Sequence, residues 1–381
     1  MRKQISNLFS KLNAMGSRPS LAQTISTFLY RSLFFGVFVA LATSMMAQTE
    51  DASDATEAPA ASAEPTQLAL INGWYNAPYS TSNAEVQTVS GIVHFKGAIA
   101  SIASDSEPFV LPKAFRPKTD VYIPVDLCNA QNGRLYIQPS GDVYIQSENS
   151  FTNAECFTSL DGASFALNGS GYTELSLING WYNAPYSTSN AEVKKINGVV
   201  HFKGALASIA DNAEAFVLPK AYWPKTYVYI PVDLCNATNG RLYIQPTGEV
   251  YVQAETYFSN AECFTSLDGA WFVASDSGAK ALDLVNGWIG APYGTSAAKA
   301  EKSSGIVYFQ GSIETSGDYT EPLVLPSSMI PQTSVYVPVD LCNATKGRLY
   351  IQPNGVVTVQ AETTFADAQC FTSLDGVSFV Q

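Results

Sequence analysis

The chain is poor in the residues from which enzyme active sites and metal sites are usually built. It has 2 histidines in 381 residues, and charged residues make up 14% of its sequence. None of its 6 cysteines belongs to a CxxC pair and no histidine lies near one, which argues against zinc. No apolar run reaches the roughly 20 residues of a transmembrane helix. We therefore expect neither an enzyme nor a bound cofactor or metal.

Positive charge is also scarce. Lysine and arginine total 21 against 33 acidic residues, a net charge of −12 at pH 7. Several of the basic residues lie in the first 47 positions, which contain no acid, so the remainder is still more acidic. An acidic protein offers no counter-charge to phosphate backbones or anionic lipids. Nucleic acid and membrane surfaces beyond the leader are not expected partners.

The amino terminus has the pattern of an export signal. Residues 1–47 combine scattered basic residues with a short apolar run, Leu33 to Ala42, and end in small residues. An uncleaved anchor is the alternative, because the basic region is long. Residues 48–66 are alanine, serine, proline, threonine and acids, a composition typical of a disordered spacer. We expect a secreted or cell-surface protein.

The rest of the chain is one module used three times. The segment from Ile71 to Val86 recurs exactly from Ile178 to Val193, and a looser version starts at Val285. The spacing of about 107 residues persists through whole domains, as expected of tandem repeats. The predicted modules are 67–167, 174–274 and 281–381.

The cysteines keep the same period. Two cysteines per copy suit an oxidising compartment, where disulfides persist. One bridge inside each module is the simplest scheme that treats three equivalent units alike. The predicted bridges are Cys128–Cys156, Cys235–Cys263 and Cys342–Cys370.

Alternating apolar and polar residues, with glycine or proline every ten residues or so, predict an all-β module of short antiparallel strands. Seven or eight strands in about 100 residues favour a β-sandwich. One predicted strand runs from Ile92 to Ser101. Connectors between modules are short, so we expect a rod or an arc of beads.

Side-chain parity predicts the register of the central hairpins. A five-residue loop, Asn129 to Gly133, would set Val125 opposite Ile137 and Cys128 opposite Arg134. The next turn is predicted as Pro139-Ser140-Gly141, with glycine in the left-handed position. In the second copy, Asn197-Gly198 predicts a two-residue turn.

Each copy carries the order GW, APY, a central G-[IV]-V-x-F-x-G, an LP motif, GRLYIQPxG and FTSLDGxxF. In the first copy the later motifs are Leu111 to Pro117, Gly133 to Gly141 and Ser159 to Phe165. This order resembles the β-rich domains near the carboxyl termini of phage tail-fibre and minor structural proteins. The resemblance covers almost all of each module and implies receptor or surface recognition.

Aromatic and amide side chains are the candidate ligand-binding residues, because flat rings beside amides suit sugar faces. For the tryptophans, the alternative is that each plugs one end of the sandwich. The third copy replaces two of these residues by Ile289 and Gly290, so it would bind differently or not at all. The candidates are Trp74, Tyr75, Asn76, Tyr79, Trp181, Tyr182, Asn183, Tyr186, Trp288 and Tyr293.

Carboxylates that recur in every copy are assigned structural roles. Asp126 lies near Arg134 in the predicted register, so an ion pair within the hairpin is expected, as for Asp233–Arg241 and Asp340–Arg348. Asp161 is expected to cap its own turn. A glycoside hydrolase would need two such carboxylates, Asp126 and Glu148 for example, in one cleft. A calcium site is the remaining alternative for these acids.

Both histidines occupy the same position in the first two copies, and the third copy has Tyr308 there. We expect His94 and His201 to be ordinary exposed residues of a strand. No pattern of serine or cysteine with histidine predicts a nucleophile.

The sequence thus favours a multivalent recognition and adhesion protein that binds a glycan or surface polymer, since repetition raises apparent affinity. A structural matrix or envelope protein is the alternative, with the modules as spacers that self-associate. A hydrolase comes third.

Overall fold

A computed structural model describes residues 65–167, 169–274 and 278–381. The predicted leader, and the spacer as far as residue 64, lie outside the described residues. The described residues of all three modules belong to one compact unit. Among the described residues no helix is both long and apolar enough to cross a membrane.

The first module is built from short strands and one short helix, as the alternating pattern predicts. Its elements are β1 (Thr66–Gln67), β2 (Trp74–Asn76), β3 (Glu85–Val89), β4 (Ile92–Lys96), β5 (Ala98–Ser101), β6 (Phe109–Val110), β7 (Val121–Asp126), β8 (Asn132–Ile137), β9 (Asp142–Ser147), α1 (Phe151–Cys156), β10 (Thr158–Ser159) and β11 (Ser164–Ala166). They form antiparallel sheets with the orders β1-β3-β4-β11, β10-β5-β2 and β6-β9-β8-β7.

The second module repeats this order and its three sheets. Its elements are β12 (Thr173–Glu174), β13 (Trp181–Asn183), β14 (Glu192–Ile196), β15 (Val199–Lys203), β16 (Ala205–Ser208), β17 (Glu214–Val217), β18 (Val228–Asp233), β19 (Asn239–Ile244), β20 (Glu249–Ala254), α2 (Phe258–Cys263), β21 (Thr265–Ser266) and β22 (Trp271–Val273).

The third module repeats it again. Its elements are β23 (Lys280–Ala281), β24 (Ile289–Gly290), β25 (Lys299–Ser303), β26 (Ile306–Gln310), β27 (Ser312–Glu314), β28 (Leu323–Val324), β29 (Val335–Asp340), β30 (Lys346–Ile351), β31 (Val356–Ala361), α3 (Phe365–Cys370), β32 (Thr372–Ser373) and β33 (Ser378–Val380).

Short 3-10 helices, three in each module, turn the chain between strands in the described residues. They span Pro78–Ser80, Lys113–Phe115, Cys128–Ala130, Pro185–Ser187, Lys220–Tyr222, Cys235–Ala237, Pro292–Gly294, Ser327–Met329 and Cys342–Ala344. The all-β prediction is confirmed, and the short helix that ends at the second cysteine of each module is an addition to it.

Each module has its own hydrophobic core. In the first, the inward faces of β7, β8 and β9 pack against Phe95, Phe109 and Phe165, which are fully buried. The predicted single strand from Ile92 to Ser101 is wrong, because Gly97 (φ 89°) breaks it into β4 and β5. The kink lets one stretch of chain serve two sheets.

The three predicted disulfides are confirmed, at Cys128–Cys156, Cys235–Cys263 and Cys342–Cys370. Each ties the 3-10 turn after a long strand to the end of the short helix. In the chain-entropy account, closing a loop of this size contributes about 3–4 kcal/mol. Disulfide bonds of this kind suit an oxidising compartment.

The turns between β8 and β9 and between β14 and β15 are those predicted. Ile137 pairs with Val143, and Gly141 has φ 98°. Ile196 pairs with Val199 across Asn197-Gly198, whose φ angles are both positive.

The predicted register between β7 and β8 is wrong. Val125 pairs with Gly133 rather than Ile137, an even shift that keeps each side chain on its predicted face. Leu127 leaves the hairpin because it bridges to Thr158, and the left-handed Asn129 closes the loop earlier.

The expected rod or arc is also wrong, because the modules close on themselves. Strands β7, β18 and β29 each contact the other two. A Cβ at Gly162 would lie 2.5 Å from Val337 Cγ1, so the Asp-Gly turn of the first module lies directly against the third. Since Gly269 meets Ile123 and Gly376 meets Ile230 in the same way, the three modules form a ring with approximate threefold symmetry.

Candidate functional site

The ring creates three equivalent clefts, one at each junction between modules. The preceding module supplies a tyrosine and an arginine, and the following module supplies an exposed tyrosine, a disulfide, an asparagine and a phenylalanine. Cleft 1–2 is lined by Tyr122, Arg134, Tyr186, Cys235, Asn236 and Phe264. Cleft 2–3 is lined by Tyr229, Arg241, Tyr293, Cys342, Asn343, Cys370 and Phe371. Cleft 3–1 is lined by Tyr336, Arg348, Tyr79, Cys128, Asn129 and Phe157.

The clefts differ in size. Their volumes are about 180 Å³ for cleft 1–2, 380 Å³ for cleft 2–3 and 170 Å³ for cleft 3–1. Concave sites lined by aromatic rings and a few polar groups are the usual form of small-molecule sites. Each volume suits one small group, such as a single sugar ring, rather than a large ligand.

An exposed tyrosine forms the outer wall of each cleft. Tyr79 lies in the turn Pro78–Ser80, has φ 53° and is 62% exposed. Its ring meets Phe157 edge-on with 5.7 Å between centroids, and its hydroxyl lies 3.7 Å from Cys156 Sγ. Tyr186 and Tyr293 repeat these contacts.

Each turn that carries a cleft tyrosine is also held by a hydrogen bond from the other module at its junction. The backbone N–H of Ser334, in the third module, donates to the carbonyl oxygen of Ser80 at 3.0 Å. Asp120 and Tyr227 make the same bond to Ser187 and Gly294. The left-handed tyrosine is therefore held in place before any ligand arrives, which lowers the entropic cost of binding.

A buried ion pair forms the base of each cleft. Arg134 Nη1 lies 2.9 Å from Asp233 Oδ2 and also donates to the carbonyl oxygen of Leu234. Arg134 Nε donates to Gln146 Oε1, and its guanidinium lies 4.8 Å from the ring centre of Tyr122. The arginine is thus held over an aromatic ring at the junction.

The predicted ion pairs within hairpins are wrong. Asp126–Arg134, Asp233–Arg241 and Asp340–Arg348 are replaced by pairs between modules. These are Arg134–Asp233, Arg241–Asp340 and Arg348–Asp126. In the observed register each arginine lies opposite a proline, as Arg134 does opposite Pro124, so its guanidinium reaches the next module.

An asparagine in the left-handed conformation completes each cleft. Asn129 (φ 59°), Asn236 (φ 60°) and Asn343 (φ 58°) follow the first cysteine of each bridge and are exposed. Their amides supply a donor and an acceptor at the mouth of the cleft.

The structure separates the predicted binding residues into four groups, of which one, Tyr79, Tyr186 and Tyr293, lines the clefts. Trp74, Trp181 and Trp288 are buried, at 6%, 5% and 4% exposure, and each indole N–H donates to a backbone oxygen. The tryptophans therefore pack inside the sandwich, which is the alternative to ligand binding given in the sequence analysis. Asn76 and Asn183 accept hydrogen bonds from backbone N–H groups and serve the fold. Tyr75 and Tyr182 are exposed but line none of the clefts.

The recurrent carboxylates do not line the clefts. Asp161 Oδ1 accepts from the N–H of Gly97, and burial raises the pKa of Asp161 to about 7. Burial also raises the pKa of Glu148, and raises those of Glu255 and Glu362 to about 7. Among the described residues no group of three histidine, cysteine or acidic side chains has metal-binding geometry.

The expectation that the histidines are exposed is wrong. His94 and His201 are buried. Burial lowers the pKa of His94 to about 3, with His201 adding to the effect, and lowers that of His201 to about 4. Both are therefore neutral at physiological pH.

Sequence reasoning gave the arginines only a structural role, and it missed the asparagines and Phe157, Phe264 and Phe371 as site residues. Their recurrence in every copy was visible, but no pattern within one copy shows that they meet across a junction. In comparisons with models of known protein families and with curated proteins, nothing matches the chain.

Proposed function

We propose that the protein is a non-catalytic recognition protein that binds glycan at its three junction clefts. The observation that carries this proposal is the threefold recurrence of an exposed, rigid tyrosine beside an asparagine amide and an arginine. Aromatic faces cover the apolar faces of sugars, and amides and guanidinium groups satisfy their hydroxyls. The three disulfides support a function outside the cell or on its surface.

Three clefts on one rigid ring favour weak individual sites that act together. Linked sites see each other at an effective concentration near millimolar, so avidity can exceed single-site affinity by about 100-fold or more. A surface that displays the same glycan many times is the ligand that gains from this arrangement.

The test is binding to a glycan array. The triple variant Tyr79→Ala, Tyr186→Ala, Tyr293→Ala should lose binding, because it removes the outer wall of every cleft. The matched control is Tyr75→Ala with Tyr182→Ala, which removes exposed tyrosines outside the clefts and should leave binding unchanged. Equal loss in both variants, or a wild-type protein that binds no glycan, would contradict the proposal.

A further inference from the structure

The three junctions of the ring differ in how the chain joins them. The first and second modules, and the second and third, are connected through the short segments that follow β11 and β22. The junction between the third module and the first has no such connection. In the described residues, the modules meet there through contacts between residues far apart in the chain.

The junction between the third module and the first differs from the other two at one residue position. Asn132 and Asn239 each donate from Nδ2 to a backbone oxygen of the next module, Ala237 and Ala344 respectively. The equivalent residue in the third module is Lys346, whose Nζ lies 3.4 Å from the carbonyl oxygen of Ala130. Among these three equivalent positions, lysine therefore occurs only at the junction between the third module and the first.

Lys346 reaches a buried carboxylate of the first module. Its Nζ lies 2.9 Å from Asp126 Oδ1, and the two side chains are 1% and 0% exposed. Arg348 Nη1 holds the other oxygen, Oδ2, at 2.9 Å. At the other two junctions the equivalent oxygens, Asp233 Oδ1 and Asp340 Oδ1, are buried with no hydrogen-bond partner.

We propose that Lys346 and Asp126 form an isopeptide bond that closes the ring covalently. An amine and a carboxyl held in contact away from water are placed for amide formation, because fixed geometry replaces a bimolecular encounter and little water competes.

The reaction is a condensation with no change of oxidation state. The ammonium of Lys346 passes a proton to the carboxylate, which gives a neutral amine facing a neutral acid. The nitrogen lone pair attacks Cγ of Asp126 and forms the C–N bond. One carboxyl oxygen then leaves as water, taking the protons that the nitrogen and the acid release. The remaining oxygen stays as the amide carbonyl.

Neighbouring groups supply what this reaction needs. The backbone N–H of Glu362 donates to the backbone oxygen of Lys346, and the partly buried Glu362 carboxyl interacts electrostatically with Lys346 and Asp126. Burial raises the pKa of Glu362 to about 7, with Lys346 lowering it and Glu148 and Asp126 raising it. A carboxyl that titrates near neutrality can both accept and return a proton. Arg348 stabilises negative charge on Oδ2 during the attack.

The decisive experiment is the intact mass of the full chain after purification, reduction and denaturation. We expect a species lighter by one water than the sequence requires, and a digest in which the peptides that contain residues 126 and 346 are joined. A wild-type protein of unmodified mass, with these two peptides separate, would overturn the proposal.

Matched variants distinguish this bond from dehydration elsewhere, such as at Asp161-Gly162. Lys346→Arg keeps the positive charge but cannot form the bond, so it should regain the full mass. Asp233→Asn, at a junction without lysine, should keep the mass deficit. Persistence of the deficit in Lys346→Arg would refute the assignment, and the wild-type digest decides the matter if that variant does not fold.

The role of Glu362 is tested separately. Glu362→Gln should leave a larger unreacted fraction that falls slowly with time, whereas Glu174→Gln, at an exposed glutamate of the second module, should react as the wild type does. Equal yields in the two variants would remove Glu362 from the account. Loss of glycan binding with the bond intact would concern the proposed function only.

Discussion

At the scale of single residues, the junctions depend on buried charge. Each arginine at a cleft neutralises an aspartate that has no access to solvent. Burial raises the pKa of Asp233 to about 6, and the positive charge of Arg134 partly offsets this rise. The arginine therefore both orients the cleft and makes a buried carboxylate tolerable.

Truncation of such an arginine should be costly. Arg134→Ala leaves Asp233 buried without its partner, which typically costs about 3–5 kcal/mol. The control is Lys195→Ala, which removes an exposed lysine whose Nζ donates to the backbone oxygen of Ala221 and should cost less than about 1 kcal/mol. Urea denaturation measures both, and similar costs for the two variants would argue against a buried pair at the junction.

The recurrent charged residues and the disulfide pairs were predictable from the sequence, but which aspartate pairs with which arginine was not. Every copy contains the same aspartate and arginine, so a pair within a module and a pair between modules use identical residue types. Only the observed register, which puts Arg134 opposite Pro124, distinguishes the two. The asparagine of each cleft could not be predicted as a site residue for the same reason, since the tyrosine and the arginine opposite it come from another copy.

At the scale of elements, the strand breaks at Gly97, Gly204 and Gly311 decide how each module folds. In Gly204 (φ 88°) a Cβ would lie 2.0 Å from the backbone oxygen of Asn190. This close approach explains why glycine is needed at the kink. The period-two pattern predicted one strand from Ile92 to Ser101, because the apolar residues on both sides of Gly97 concealed the break.

Substitution at this kink should be far worse than at an open turn. Gly305→Ala, with φ 80° and nothing near its Cβ, should cost about 1–2 kcal/mol from left-handed strain alone. Gly204→Ala adds a backbone clash and should cost about 3 kcal/mol or more. Thermal unfolding compares the two variants, and equal shifts in Tm would show that the kink is not tightly packed.

At the scale of the whole molecule, the ring buries many carboxyl groups. Burial raises the pKa of Asp161, Asp268 and Asp375 to about 7, alongside Glu255 and Glu362. Between about pH 4 and pH 7 the folded protein holds protons that the unfolded chain has released. Folding then takes up protons, so stability falls as pH rises through this window.

We therefore expect a lower Tm at pH 8 than at pH 6. The two buried histidines act in the opposite direction, but only below about pH 6.5, where the unfolded chain binds their protons. Asp268→Asn removes one titrating group and should reduce the difference in Tm. A Tm that rises from pH 6 to pH 8 would show that these carboxyl groups are ionised in the folded state.

The modular plan and the sandwich were predictable from the repeat, whereas the closed ring was not. Short connectors suggested a rod or an arc, yet the contacts that close the ring join residues more than 200 positions apart, such as Lys346 and Asp126. Sequence periodicity describes each copy and carries no record of which faces of the copies meet.

Small-angle X-ray scattering of residues 65–381 tests the closed ring most directly. A compact chain of this length should have a radius of gyration of about 20 Å, and three modules in a row should exceed about 25 Å. The ring predicts the smaller value. A value above about 25 Å at low concentration would contradict the ring and, with it, the three junction clefts.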